Sequence, residues 1–493
     1  MSARRDANQT HRGDRTLNLR LSAFSLLLAS PAALAAQPPS AAPYILKDLG
    51  TLGGPNSGVS ESTPGNSSGT VIGESETEDL SSLCGCPARH AFKWSQGKMT
   101  DLGTLPDGND FSSANAINSL GTVVGISANG VPDPDLGEQV VATAWRNGRV
   151  TNLGTFGGPF SDAEAINDLG QVAGGAETPI PDPDGKWSGL TTFPSPTLWH
   201  AALWKNGTIR DLGTLGGPAA YARFIDSRGR VAGQSYIRRQ PVTPDGAPLI
   251  HPFFWENGRM TDIGTLGGVF AEANAMNSLG QVAGDSDLRG GAAFHAFRWS
   301  QGKMVDLGTV GDASSAASAI NDLGAVVGFL ISANGSIDGF LWRNGTMIAL
   351  GGLPGFPCNY PHRINNKGQV VGDSDDCNGN GKSAWLWQKG VGLVDLNTLV
   401  PPGSDMHLAE ASFIDDNGEI LGNGMVPNGD FHAFVLIPTG TGSAAMAAAS
   451  SDVDAGDAEA THTAPENMTP AKMAELRARL SNRAHGWGSR ATN

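Results

Sequence analysis

Charge is scarce in this chain: Asp, Glu, Lys and Arg make up 16% of 493 residues, against a usual ~25%. The 33 basic residues are outnumbered by 48 acidic ones, giving a net charge of −15, and they are scattered without interleaved aromatics. A phosphate backbone needs a clustered positive face, so nucleic acid is not an expected partner. Long apolar runs are missing too. Leu21–Ala36 is interrupted by Pro31 and falls short of the ~20 residues needed to cross a bilayer, so no membrane span is expected. No G-x-S-x-G elbow, H-E-x-x-H, Walker loop or dinucleotide fingerprint stands in its right context. What abounds is glycine, 67 residues. With so few charges, this composition excludes a coiled coil or helical bundle and predicts many turns between short strands.

The N-terminus carries Arg4, Arg5, Arg12, Arg15 and Arg20 ahead of the apolar run, which ends in small residues. This reads as a signal peptide over 1–36, followed by a short linker over 37–43 and implying a secreted, extracellular or periplasmic protein. The four cysteines of an exported chain read first as disulfides, with three possible connectivities. Cys358 and Cys377 fall in one repeat unit and suit a local bridge. Cys84 and Cys86, in Cys-Gly-Cys, suit a tight bridge, a redox pair or a weak metal site.

Self-similarity dominates the rest. HAFKWSQGKMTDLGTL from His90 returns from Thr143, His200, His251 and His295, with looser copies from Gly339 and Ser383. A second module, as in DAEAINDLGQVAG ending at Gly174, follows each copy. Starts of the Asp-Leu-Gly element at 48, 101, 152, 211, 262, 306, 349 and 395 are spaced 43 to 59 apart, the size of a propeller blade plus insertions. Asn147-Gly148 and Asn206-Gly207 mark one hairpin, and Asn167 to Gly170 a type I turn in another, so each unit resolves into four antiparallel strands. Tyr44–Gly50 is a fourth strand with no third before it, and His432–Pro438 a third with no fourth after it. The fold expected is all-β: a β-propeller over 44–438 of eight four-stranded blades, closed by pairing of the N- and C-terminal strands. A β-solenoid or open array is the competing arrangement. Residues 439–493 turn to Ala, Ser, Asp and Thr and read as a low-complexity, disordered tail.

His-Ala-Phe at His90, His295 and His432, with the Asp-Leu-Gly-Thr-Leu-Gly-Gly and Ile-Asn-x-x-Gly-x-Val-x-Gly elements, resembles the bacterial extracellular HAF repeat family from Tyr44 to Pro438. The resemblance implies export and repeat architecture. It carries over no catalytic residue, because the family has no established common activity. The first unit departs from the pattern at Pro64-Gly65.

Repetition assigns most candidate residues to structure. Five of ten histidines share one repeat position, and seven of eleven tryptophans another, as do the aspartates of Asp-Leu-Gly. The variable position of the Ala-x-Ala-Ile-Asn strand is different. It reads Asn115, Glu164, Arg223, Asn274, Ser318, His362 and Ser412, a polar set expected to line a central channel and hold a ligand. Insertions over 126–140, 175–199 and 234–250 elaborate one face, where Trp187, Phe193 and Trp199 offer stacking surface for a sugar. Asp376, Asn378 and Asn380 match half of a calcium loop, with Trp387 where a closing Glu belongs, so calcium is a weak cofactor candidate and no other is expected. The leading expectation is a secreted noncatalytic repeat protein that binds carbohydrate or a cell-surface protein through its loop-rich face. The alternative is a propeller hydrolase or lyase acting on polysaccharide at the central channel, since propeller enzymes assemble sites from different blades.

Overall fold

The computed structural model describes residues 42–440 apart from 61, 109, 135–136, 183–189, 191–195, 241, 243–248, 292, 312 and 333. The signal peptide and nearly all of the C-terminal tail therefore fall outside the described residues. Among these, every regular element but one 3₁₀ turn at Leu396–Thr398 is a strand, and no helix is long and apolar enough to cross a membrane. The strands form antiparallel four-stranded sheets in a propeller-like arrangement. In the first, Gly53–Val59, Val71–Leu80, Pro87–Ser95 and Lys98–Asp101 follow in chain order. The strands from Ala313 to Asp395 make two such ladders joined by one parallel pair, Ile337 with Cys358. The last sheet takes Tyr44–Asp48 beside Phe431–Pro438, in register from Tyr44↔Pro438 to Asp48↔Phe434. Asn147 and Gly148 sit at φ 52° and 74°, the left-handed pair of a tight hairpin.

A β-bulge interrupts the first strand of the sheets after the opening one. It falls between Ala114 and Ala116, Ala163 and Ala165, Ala222 and Phe224, Ala273 and Ala275, Ala317 and Ala319, Pro361 and Arg363, and Ala411 and Phe413. The bulged residue is in each case the variable polar one. Opposite it stands the glycine of Val-x-Gly: a Cβ on Gly125, Gly174 or Gly284 would fall on the carbonyl oxygen of Ser113, Asp162 or Glu272. Glycine is required there by close backbone approach, and the bulge swings its one extra side chain out of the ladder.

Three polar stitches recur, two between neighbouring sheets and one within each sheet. The Asn of Ile-Asn caps its own turn and donates its amide to the same turn of the next sheet: Asn66 to Asn118, Asn118 to Asn167, Asn167 to Asp226, then Asn277 to Asn321, Asn321 to Asn365 and Asn365 to Asp415, at 2.8–3.1 Å. A serine on the first strand reaches back to the sheet before, as Ser112 does to the Ala91 N–H and the Gly103 carbonyl. Within a sheet, the His of His-Ala-Phe binds the Asp of Asp-Leu-Gly: His90–Asp101, His200–Asp211, His251–Asp262 and His295–Asp306. His432 binds Asp48 in the same way at 2.9 Å, and Ser57 takes the Ala433 N–H and gives to the Gly50 carbonyl. Where Val141 replaces the His, Asn152 replaces the Asp. The repeated tryptophans fill the seams between sheets, Trp145 packing on Ile72 and Ala91 with its indole N–H on the Gly103 carbonyl. The structural readings of His, Asp and Trp thus hold.

Two measurements test this framework. Gly284→Ala is expected to destabilise the protein by about 3 kcal/mol in urea unfolding, because the Glu272 carbonyl leaves no room. The second concerns acid. Burial raises the carboxyls of Asp101, Asp211 and Asp262, but hydrogen bonds from their histidine and from the glycine N–H two residues on outweigh it and hold them below the ordinary value. Folded values below unfolded ones mean stabilisation that is complete above about pH 4 and lost as the pH falls further. The urea midpoint should drop between pH 4 and 3, and less steeply in His200→Ala.

Candidate functional site

The seven variable residues divide by what they touch. Asn115 donates to the Ala163 carbonyl at 3.1 Å, Asn274 to the Ala317 carbonyl at 3.1 Å, and Ser318 to the Pro361 carbonyl at 2.7 Å. Each ties its bulge to the next sheet's first strand. Glu164, Arg223, His362 and Ser412 instead join ionisable clusters.

The first cluster is centred on Tyr221. Its hydroxyl lies 2.9 Å from Asp162 Oδ2 and 2.9 Å from Glu164 Oε1, while Asn115 donates to Asp162 Oδ1 at 2.9 Å. A phenol holds one proton and can donate to only one of two carboxylates, so the other carboxyl must carry a proton and donate to the phenol oxygen. Electrostatics agree. Burial and the neighbouring Glu164 charge push Asp162 up to about 8, against the lowering contacts of Tyr221, Arg223 and Asn115. Burial also raises Glu164, with the Arg223 guanidinium pulling the other way. Tyr221 is raised well above its ordinary value by burial and by the two carboxyls. Asp162 and Tyr221 are buried, whereas Glu164 is half-buried. The chemistry available is proton donation near neutral pH from a carboxyl beside a cation.

Asp162 and Tyr221 do not belong to the variable column. They stand two residues before a bulged position in it, in a second irregular column that reads Ser113, Asp162, Tyr221, Glu272, Ala316, Tyr360 and Glu410. That irregularity is visible in the sequence; what hides its meaning is that the contact is made between two sheets, Tyr221 of one reaching Asp162 and Glu164 of the other. Trp199 holds Tyr221 from behind, its ring centroid 5.7 Å from the phenol ring, within a core of Phe160, Tyr236, Ile250 and Phe270. Trp199 is 2% exposed, which corrects its assignment as a stacking surface. The first insertion is largely a lengthened hairpin, Val123–Asp133 with Gly137–Arg146. Trp187 and Phe193 lie outside the described residues.

The second cluster joins His362, Asp373, Lys382, Glu410 and Ser412. His362 Nε2 is 2.6 Å from Asp373 Oδ1, Lys382 Nζ is 2.9 Å from Glu410, and Ser412 donates to Glu410 at 3.1 Å. Burial raises Glu410, but the charges of Lys382 and His362 outweigh it and leave it below the ordinary range. The serine hydroxyl bonds to Glu410 and not to the imidazole, so this is not a nucleophile–base pair.

The half calcium loop is occupied by itself. Asp376 Oδ1 accepts the N–H groups of Asn378 and Asn380, and Oδ2 accepts the Asn380 amide. These bonds hold Asp376 down at about 2 and turn Asn380 nitrogen, not oxygen, towards it. Among the described residues no group of three or more His, Cys, Asp or Glu is placed to hold a metal ion. Cys358 bridges Cys377 and Cys84 bridges Cys86.

No family model matches the chain, and no curated protein does. Solved structures with a similar arrangement include a Mycobacterium tuberculosis puromycin-hydrolysing peptidase, at 13% identity and TM-score 0.41 over 78% of this chain and 62% of that one. The Pyrococcus horikoshii acylaminoacyl peptidase aligns at 9% and 0.38, over 72% and 56%. TolB from Acinetobacter baumannii aligns at 11% and 0.30, over 57% and 64%. The chain thus spans about three fifths of the length of these proteins. The expectation of a noncatalytic scaffold acting through its loop-rich face is overturned. In the chain itself the face's one described candidate aromatic, Trp199, is buried while ionisable groups converge on the bulged strands.

Asp162 gives this site a pH signature. Its folded value lies above its unfolded one, so the stability it contributes is greatest at acid pH and is lost as the pH rises from about 4 through about 8. The melting temperature should fall between pH 6 and 9, and Asp162→Asn should flatten that slope.

Proposed function

We propose that the protein is a hydrolase acting on polysaccharide, with its site on the wall of the central channel of an eight-bladed propeller. Closure of the ring through the first and last strands is supported by the His432–Asp48 and Ser57–Ala433 bonds, which repeat the contacts made within and between the other sheets. Export, and membership of the HAF repeat family, are part of the same reading. They rest on the N-terminal apolar run, the two disulfides and the repeat motifs.

The observation that carries the activity is the Asp162–Tyr221–Glu164 arrangement. Cleaving a glycosidic bond requires a carboxylic acid that is still protonated near neutral pH, delivered to the leaving oxygen. The buried Asp162, pushed up to about 8, retains that proton, and Glu164, half-buried and likewise raised by burial, is the carboxyl placed to deliver it. Tyr221 and the buried Asp162 act through it, holding the proton and fixing the carboxyl. Arg223 stabilises the carboxylate left after transfer. Tyr221, its pKa raised, stays a neutral phenol and offers no phenolate to abstract a proton near neutral pH, which favours hydrolysis over elimination.

The test is reducing-end release by the full chain from a panel of neutral and acidic polysaccharides, with a peptide panel alongside. Glu164→Gln is expected to lower kcat by roughly 10²-fold or more at an unchanged melting temperature. Release from no polysaccharide, or equal rates for Glu164→Gln and the wild type, sinks the proposal.

A further inference from the structure

The two disulfides are placed differently. Cys358 lies in a core of Phe294, Ile331, Ile337 and Tyr360, and its bridge to Cys377 ties the strand Cys358–Ile364 to a turn 19 residues on. Cys84 and Cys86 are both exposed, with only Gly85 between them. Closing so short a loop removes little chain entropy from the unfolded state, so this bridge contributes little to the fold.

The loop that carries it is held by other bonds. Leu80 pairs with Pro87, where the second strand of the opening sheet ends and the third begins. Between them the Ser81 N–H donates to the Cys86 carbonyl at 2.8 Å, and the Gly85 N–H to the Ser81 carbonyl at 2.9 Å. Asp110 Oδ2 accepts the Ser82 N–H at 3.1 Å and the Ser82 hydroxyl at 2.6 Å. The backbone thus sets the two sulfurs side by side independently of the bond between them. The sulfurs are not equivalent, because the Cys86 N–H donates to Cys84 Sγ at 3.3 Å. A donor aimed at a sulfur favours its thiolate, which makes Cys84 the better leaving group. Leu80 and Leu83, just before the pair in sequence, are 66% and 56% exposed, apolar surface that the side chains of an extended polypeptide can cover.

We propose that Cys84–Cys86 is an exchange-active disulfide that oxidises pairs of cysteines in extended polypeptides, an activity separate from the hydrolase reading. One client thiolate attacks Cys86 Sγ. The bond between the two protein sulfurs breaks, and its electron pair leaves on Cys84, whose sulfur keeps the Cys86 N–H. The client's second thiolate then attacks the first client sulfur and expels Cys86. The client is left with a disulfide, two electrons have passed to the protein, and the two thiol protons end on Cys84 and Cys86. Oxidised glutathione, a small-molecule disulfide, reoxidises the pair and completes the cycle.

The experiment equilibrates the full chain in buffers of reduced and oxidised glutathione, quenches with acid, alkylates free thiols and reads each cysteine by peptide mass spectrometry. Cys84–Cys86 should open at a ratio of squared reduced to oxidised glutathione roughly a hundredfold below the ratio that opens Cys358–Cys377. In samples quenched soon after reduced glutathione is added, the mixed disulfide should sit on Cys86, with Cys84 alkylated. Turnover is followed with a fluorescent peptide carrying two cysteines, in oxidised glutathione. Wild type should speed its oxidation about tenfold over the buffer alone, and the double variant Cys84→Ser, Cys86→Ser should not speed it. That variant should melt where the wild type does, which separates lost chemistry from lost folding; the glutathione titration needs no variant. Opening of both bridges together, glutathione on Cys84, or peptide oxidation by wild type no faster than in buffer overturns the proposal.

Discussion

The architecture depends on one close approach. At the glycine of each Val-x-Gly strand, the space a side chain would need is filled by a carbonyl oxygen of the neighbouring strand. That contact permits a bulge opposite, and the bulge turns one residue per sheet away from the alternation of its strand. Everything distinctive about the candidate site descends from it. Most residues outside the bulge are fixed by repetition, because they pack or stitch one sheet to the next. The bulged residue varies without cost to the ladder, as does the position two residues before it, and at the bulge asparagine, glutamate, arginine, histidine and serine appear.

Much of this was legible in the residue pattern. Asn-Gly pairs and Asn-x-x-Gly turns give the hairpins, and the unmatched Tyr44 and His432 strands give their own pairing, because turn chemistry and strand count are local properties. Trp199 was misplaced for the opposite reason. Its position beside an insertion suggested an exposed loop, but the fold carries it inward to back Tyr221. Asp162 and Tyr221 escaped notice because their contact joins strands of two different sheets, a neighbour relation that the pattern along one strand does not display.

The two ionisable clusters solve burial differently. Around Glu410 and Asp373, cations compensate carboxylates, and Glu410 stays ionised. Around Tyr221 two carboxyls share one guanidinium, and a retained proton makes up the difference. A site short of one positive charge is one where a proton is stored.

The sheet that takes both Tyr44–Asp48 and Phe431–Pro438 joins residues nearly four hundred positions apart. During synthesis its N-terminal strand waits unpaired until almost the whole chain has emerged, and the ordering entropy of that long loop is met only at the end. Such a chain completes its fold after translation and not alongside it. On the proposed reading of export, that delay keeps the chain extended for longer, the form in which a polypeptide passes a membrane pore.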